Sequence, residues 1–386
     1  MTVNMTAMRV PLLDLGEQYF ALADAIRGEI DEVLSTQQFI LGPKIEEFER
    51  AAAAYIGMKH AIGVSSGTDA LLAIFMSLGF GPGDAVIVPS FTFFATGGCV
   101  ARVGAKPLFA DIDPVTCNIT AATVEDCLRK HGNERVRAIV PVHLFGLCCD
   151  MDPLIALAKR ENLLVIEDAA QAIGAEYRGR KAGMMSEVAA FSFYPTKNLG
   201  AAGDAGLVAT NDDQLADRLR ECRQHGMRER YFHDFIGGNF RMDSIQAAVL
   251  KAKLPHLDEW SAARRRIADI YREEFTRRDL MKHITLPAEP WRDDRLTNHH
   301  IYHQYVIRTP RRDELREHLG REQIGTAIYY PLGLHQQRCF AYLGYRDGDL
   351  PETERAAREV LALPVYPELK RDQQAYVVEA IAELFQ

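Results

Sequence analysis

The stretch FSFYPTKNLGAAGDAG, residues 191–206, sets one lysine, Lys197, between an aromatic, strand-like run and a loop of small residues. A lysine held away from water has a lowered pKa, and its neutral amine can form a Schiff base with a carbonyl. The flanking glycines and alanines let the backbone approach a flat ligand closely. His143 and Asp168 end apolar runs, the position where open α/β sheets bind ligands. Taken singly, an acid there is more often a helix cap, and a histidine more often a satisfied structural group. Together with Lys197 they describe a different chemistry. An aspartate can pair with a protonated ring nitrogen, the arrangement that makes pyridoxal phosphate an electron sink. The phosphate then needs a cradle, and SSGTDALLAIF (65–75) offers one: a turn at Gly67 and a helix opening at Thr68. Amides at a helix start point at an anion and the dipole favours it, although plain helix capping accounts for the same residues.

The elements that must position these groups alternate. Strand-like runs lie at 60–65, 85–89, 106–112, 137–142, 163–168, 189–194 and 206–210, with helical patterns such as 69–79 and 151–162 between the earlier ones. Most runs are continuously apolar, as in sheets covered on both faces, so the spacing predicts a mainly parallel, doubly wound α/β sheet. The last two runs are close enough for an antiparallel, hairpin-like addition. A polar helical region (243–275) follows. Beyond it come a strand-like HQYVIR (303–308), a helix at 313–323 and a further short run, TAIYY (326–330). This predicts a large α/β domain over 1–255 and a small α+β domain over 256–386.

With 386 residues, 47% hydrophobic and 25% charged, the chain reads as globular. A net charge of −8 argues against nucleic acid as a partner. The uncharged stretch from Ala85 to Ala101 is shorter than the ~20 residues of a membrane-spanning helix. MTVNMTAMRVPLL lacks the basic region and apolar core of a leader. Seven cysteines without CxxC spacing fit a reducing compartment, so cytoplasm is the expectation, with Cys148 and Cys149 read as buried free thiols. No GxxxxGK[ST] is present, and the glycines of LGFGPGD (78–84) do not make a dinucleotide fingerprint. His299, His300 and His303 lack a companion acid or thiolate pattern, so a solvent-facing strand start is expected there rather than a metal site.

The blocks ILGPKIEEFE (40–49), SSGTDAL (65–71), GPGDAVIVPSFTFFAT (81–96), PVHLFG (141–146), VIEDAAQAIGA (165–175), FSFYPTKNLGAAGDAG (191–206) and NFRMDSIQAAVLKAKLPHLD (239–258), in that order, carry a resemblance that runs from PLLDL (11–15) to the carboxyl terminus. The chain resembles the DegT/DnrJ/EryC1/StrS family of sugar aminotransferases, pyridoxal-phosphate enzymes of fold type I. That resemblance implies a homodimer that moves an amino group from glutamate to a nucleotide-linked ketosugar. It implies that Lys197 is the residue joined to the cofactor and the proton shuttle, and that Asp168 pairs with the ring nitrogen. Gln171 would stand by the ring hydroxyl and Phe93 would stack on the ring. Gly67, Thr68 and Ser192 would hold the phosphate, with Asn239 supplied by the partner subunit. Arg241, Tyr329 and Tyr330 would lie near the nucleotide-sugar. The family commonly has "HYP" where this chain has Tyr329-Tyr330-Pro331, and Ala202 and Ala205 replace an aromatic residue and a glycine that are frequent there, which bears on sugar preference. The YPTKNLG pattern resembles members that aminate carbon 3. The alternatives are amination at carbon 4, or dehydration of a deoxysugar, in which family members carry histidine in place of the lysine. A cofactor-binding regulator without turnover, and a nicotinamide dehydrogenase, are the readings from other classes.

Overall fold

Each strand of the large sheet is apolar on both sides because both sides are covered. In the computed structural model, which describes residues 8–292 and 296–385, the strands are β1 (His60–Val64), β2 (Ala85–Pro89), β3 (Lys106–Ala110), β4 (Val136–Ile139), β5 (Leu164–Asp168), β6 (Val188–Ser192) and β7 (Gly206–Thr210). They form one seven-stranded sheet in the order β1-β7-β6-β5-β4-β2-β3. Only β7 runs against its neighbours, pairing antiparallel with both β1 and β6. The remaining pairs are parallel. Every expected run is present, and so is the antiparallel addition at the end.

The helices between them are α1 (Gly16–Thr36), α2 (Pro43–Ile56), α3 (Gly67–Ser77), α4 (Phe94–Arg102), α5 (Ala121–Lys130), α6 (Met151–Glu161), α7 (Asp213–Cys222), α8 (Ser244–Lys253) and α9 (Leu257–Arg277). Side chains alternate across a strand, so Ala85 and Ile87 face one core while Val86 and Val88 face the other. The first core takes Phe48 of α2, Val124 of α5, Leu154 of α6 and Leu250 of α8. The second takes Leu71 and Phe75 of α3, Val100 of α4 and Leu219 of α7. This double cover makes the sheet rigid, and it leaves the strand ends as the place for chemistry.

The C-terminal part packs around a third cluster. Tyr271 and Phe275 of α9 meet Ile307 of β8 (Tyr305–Arg308), Leu315 of α10 (Arg312–Arg321), Leu361 of β9 (Val360–Leu363) and Val377 of α12 (Arg371–Phe385). β8 and β9 pair antiparallel, with Tyr305 opposite Leu363. Helix α11 (Pro351–Glu359) precedes β9. The run TAIYY, expected as strand-like, makes only the single bridge Ala327–Ala362 and then leaves the ladder. Its Tyr329 and Tyr330 are drawn off against Phe91 and their neighbours instead. Residues 1–7 of the stretch read for a leader lie outside the described residues. Among the described residues no helix is long and apolar enough to cross a membrane.

Candidate active site

Helix α3 starts where β1 ends, after the two-residue turn Ser65–Ser66. Ser66 caps the helix by accepting from the Asp69 amide at 3.0 Å, which leaves the amides of Gly67 and Thr68 in the first turn without intrahelical acceptors. Ser192, the last residue of β6, comes so close that a Cβ on Gly67 would lie 2.7 Å from the Ser192 Cβ and 3.2 Å from its Oγ. The absent side chain therefore brings Gly67, Thr68 and a serine hydroxyl together at a helix start, the expected cradle for a phosphate group. Capping also occurs, but it uses Ser66 and leaves these donors free.

Lys197 sits in a loop held on every side. Its amide donates to the Tyr194 carbonyl at 2.8 Å, and the Ala201 amide donates to Phe193 at 2.8 Å. The Gly200 carbonyl accepts from Lys253 Nζ at 2.9 Å. The next residue, buried Asn198, donates to the Ile301 carbonyl at 3.0 Å and meets His303 Nδ1 at 3.1 Å. The backbone is thereby immobilised while the lysine side chain keeps partial access. Burial pulls the Lys197 pKa from its ordinary 10.5 down to about 8, with the negative charge of Asp168 pulling the other way. The two groups that the sequence placed in one site are thus close enough for their charges to act on each other.

Asp168 ends β5 and is buried. One carboxylate oxygen accepts from Thr96 Oγ1 at 2.8 Å and the other from the Ala170 amide at 3.1 Å. Burial raises its pKa, and those two donors only partly offset the rise. Gln171 lies beyond it. Its Oε1 accepts from the Phe145 amide at 2.7 Å, and its Nε2 donates to the Tyr330 hydroxyl at 3.1 Å. Phe93 is 57% exposed, and its ring centroid is 6.4 Å from that of Tyr330. An aromatic face left open next to Tyr330, whose hydroxyl Gln171 holds, suits a flat ring.

The donor set fits pyridoxal phosphate: Lys197 would supply the amine, Asp168 the anion, Phe93 the open aromatic face, and the Gly67–Thr68–Ser192 turn the anion cradle. Arg241 and Asn239 lie on a segment running beside the end of β1, where Val64 bridges Arg241 and the Ser65 amide donates to the Phe240 carbonyl at 2.9 Å. Arg241 Nε is buried without a partner, and Asn239 is exposed. Tyr329 lines a cavity with Thr196, His303 and Gln304, on the Lys197 side.

Two expectations need correction. His143 lies four residues beyond the end of β4 and its side chain has no access to the site: it is fully buried, its Nε2 lies 2.8 Å from Glu167 Oε2 and its Nδ1 accepts from the Cys149 amide at 3.2 Å. The histidines at 299, 300 and 303 are not solvent-facing. All are buried, His299 against Glu289, His300 stacked on Tyr302 at 3.9 Å, and His303 on Asn198. His299 and His303 find polar partners outside their own segment, while Nδ1 of His300 accepts from the Tyr302 amide at 3.0 Å. Cys148 and Cys149 are free and buried, as read. Sequence reasoning missed Thr96, Asn198 and Glu167. Asn198 carried a signal, being adjacent to Lys197; Thr96 carried none.

The model of the DegT/DnrJ/EryC1/StrS aminotransferase family matches residues 21–382. A "Pleiotropic regulatory protein" of Geobacillus stearothermophilus is 50% identical over 98% of this chain and 99% of its own length. A "dTDP-3-amino-3,4,6-trideoxy-alpha-D-glucose transaminase" of Streptomyces venezuelae is 44% identical over 97% of this chain and 96% of its own. Among solved structures, S. venezuelae DesV "in complex with ketimine intermediate" superposes with a TM-score of 0.91 at 43% identity, covering 97% of this chain and 98% of that one.

Proposed function

The chain belongs to the DegT/DnrJ/EryC1/StrS aminotransferase family and is a pyridoxal-phosphate-dependent aminotransferase; on that premise we propose that it moves an amino group from glutamate to carbon 3 of a nucleotide-linked ketosugar. The observation that carries the reading is a desolvated Lys197 within electrostatic reach of buried Asp168, together with an anion cradle at Gly67 and Ser192. Support for carbon 3 comes from the YPTKNLG pattern together with the name of the 44% identical transaminase.

Pyridoxal phosphate, when bound, supplies the electron sink and carries the amino group from one substrate to the other. The chain's own groups do the rest. Gly67, Thr68 and Ser192 bind and orient the phosphate, with Asn239 of the second subunit completing that end. Asp168 would hold a positive charge at the ring nitrogen, and Phe93 and Gln171 would flank the ring. Lys197 Nζ moves the proton, taking it from the donor carbon in one half and returning it to the sugar side in the other. A pKa of about 8 gives that nitrogen a neutral fraction near pH 7 that an ordinary lysine lacks. Arg241, Tyr329 and Tyr330 face the nucleotide-sugar. We take the protein as a cytoplasmic homodimer whose small domain begins at residue 256.

Mass spectrometry and NMR of products from glutamate and a panel of nucleotide-ketosugars test this reading. A 3-amino sugar is expected, and a 4-amino product alone would reject the assignment to carbon 3. The regulatory name of the 50% identical relative favours a second reading, a ligand-binding regulator without turnover. A burst of glutamate-dependent cofactor amination by the purified protein is incompatible with it. Mixing Lys197→Ala and Asn239→Ala subunits tests the shared site: a two-fold dimer restores one intact site in each mixed pair. No recovery despite proven exchange rejects it.

A further inference from the structure

Ser90, directly after β2, is fully buried, and its Oγ lies 2.6 Å from Nδ1 of His335. His335 Nε2 is 3.3 Å from Glu354 Oε1, which also accepts from the Gly348 amide at 2.7 Å. A serine, a histidine and a glutamate in this order resemble a hydrolytic relay. A serine with no exposed surface cannot meet a substrate, so the arrangement has another use. The Ser90 hydroxyl donates to Nδ1, the Nε2 proton goes to Glu354, and a neutral imidazole satisfies both neighbours. Burial holds His335 below its ordinary pKa and so favours that neutral form.

The same serine grips the chain around His335. Its Oγ accepts the His335 amide at 3.3 Å, and its carbonyl accepts the Leu334 amide at 2.7 Å. Gly333 permits the approach, since a Cβ there would lie 2.7 Å from His335 Nδ1 and 2.5 Å from Thr353 Cγ2. Glu354 is itself anchored, because α11 is capped by Asp111, which accepts from the amides of Glu352 and Thr353 at 3.0 and 2.7 Å. The loop that starts at Tyr330 is therefore held at both ends against residues 90–93. At one end is the Ser90–His335–Glu354 relay. At the other, the Tyr330 ring packs edge-on to Phe91 at 6.1 Å and tilted to Phe93 at 6.4 Å.

We propose that His335 is a positioning residue: through Ser90 and Glu354 it sets where Tyr329 and Tyr330 stand, and so serves capture of the large keto substrate more than the half-reaction with the amino donor. This rests on the reading of those two tyrosines as sugar-facing. Gln171 would feel a shift of Tyr330, but it keeps its second anchor at the Phe145 amide, so the cofactor side should change little.

The test compares Ser90→Ala, His335→Phe and His335→Asn with the unaltered holoenzyme. Losing a buried hydrogen bond predicts a rise of about tenfold in KM for the nucleotide-ketosugar in Ser90→Ala. His335→Phe should raise it further. The single-turnover rate with glutamate should stay within about threefold in each variant. His335→Asn keeps an acceptor for Ser90 and should recover part of the KM, which covers the case in which His335→Phe fails to fold. Hydrogen exchange of residues 330–343 should quicken in Ser90→Ala while the sheet is unchanged. Unchanged exchange overturns the fastening, and quickened exchange with an unchanged KM overturns its role in substrate capture. Equal losses in both half-reactions also overturn the proposal. Should the unaltered protein aminate no nucleotide-ketosugar, the underlying reading fails visibly in that protein, and the capture role falls with it.

Discussion

Glu167 and Asp168 are consecutive carboxylates on one strand, both buried, and they point to opposite faces of the sheet. Glu167 receives His143 Nε2 at 2.8 Å, the Gly183 amide at 2.7 Å, the Met185 amide at 2.8 Å and Ser186 Oγ at 2.8 Å. Those partners fill the roughly four acceptor sites of a carboxylate. Burial alone would raise its pKa, but the His143 contact and the other donors outweigh it and the net shift is downward. Among the described residues Asp168 receives only Thr96 and Ala170, and burial wins, so its shift is upward. Equal depth thus gives two different groups. A saturated carboxylate is structural, while an under-satisfied one has acceptor capacity left for a cation. In an open sheet the two faces at one strand end can hold a brace and a reactive group one residue apart.

Five experiments can break that contrast or sharpen it. Lys197→Ala removes the cation that Asp168 faces. Amination should fall by at least about 10⁴-fold, and the visible band of the lysine-bound cofactor should vanish while circular dichroism stays native. A retained band would place the covalent link elsewhere. Asp168→Asn should slow the glutamate half-reaction by about 100- to 1000-fold with little loss of stability, since preorganised charge of this kind is worth a few kcal/mol. An unchanged rate would mean that its spare acceptors serve nothing.

Glu167→Gln should do the reverse, costing about 2–3 kcal/mol of stability while the folded fraction turns over within about threefold of normal. Its pH dependence has a definite sign. Because the folded pKa is depressed below the ordinary 4.5, the carboxylate's contribution is complete above that value and fades as pH falls through the folded pKa. Urea titrations of both proteins should therefore converge in acid, and a gap that persists there would refute the saturation argument. Thr96→Val, the mildest change, removes one of the two donors to Asp168 and should slow the donor half-reaction by about three- to tenfold. On the lysine side, if the neutral amine of Lys197 is what takes up the cofactor aldehyde, loading of apoprotein should rise with pH and reach half its maximum near 8. A midpoint near 10.5 would show that the amine is not desolvated.

The contrast also marks what the sequence could disclose. Asp168 and Lys197 were legible because each lies at the end of an apolar run, and period and composition locate such ends. The seven strands were legible for the same reason, since β-rich apolar runs between helical patterns admit few other arrangements. Glu167 was visible as an acid inside a buried strand, but its four partners come from residues 143, 183, 185 and 186, which only the fold collects. Thr96 needs the direction of α4 before its hydroxyl can be aimed. The histidines at 299–303 read as exposed because Glu289 and Asn198 lie ten residues and about a hundred residues away in the chain. TAIYY has strand composition, yet after the Ala327–Ala362 bridge its tyrosines turn to the Phe91 cluster, where the Tyr330 hydroxyl accepts from Gln171.

The close packing at Gly67 and Gly206 has a consequence for which sequences this scaffold can accept. A methyl at position 67 collides with the side chain of Ser192, whereas one at 206 collides with the Ser66 carbonyl at 2.3 Å and the Gly67 amide nitrogen at 2.7 Å. The first clash is conditional: glycine at 192 removes the Cβ and Oγ contacts and leaves the Cα at 3.3 Å, a gap the backbone must widen by a few tenths of an ångström, so tolerance at 67 depends on genetic background. The second is unconditional, because no change of side chain moves a main chain that Ser192 and Val64 bracket in register with Gly206. In an exhaustive mutational scan, position 206 should read as glycine in every background, while position 67 should show epistasis with 192. A search for altered phosphate ligands should therefore vary 67 and 192 as a pair and leave 206 alone.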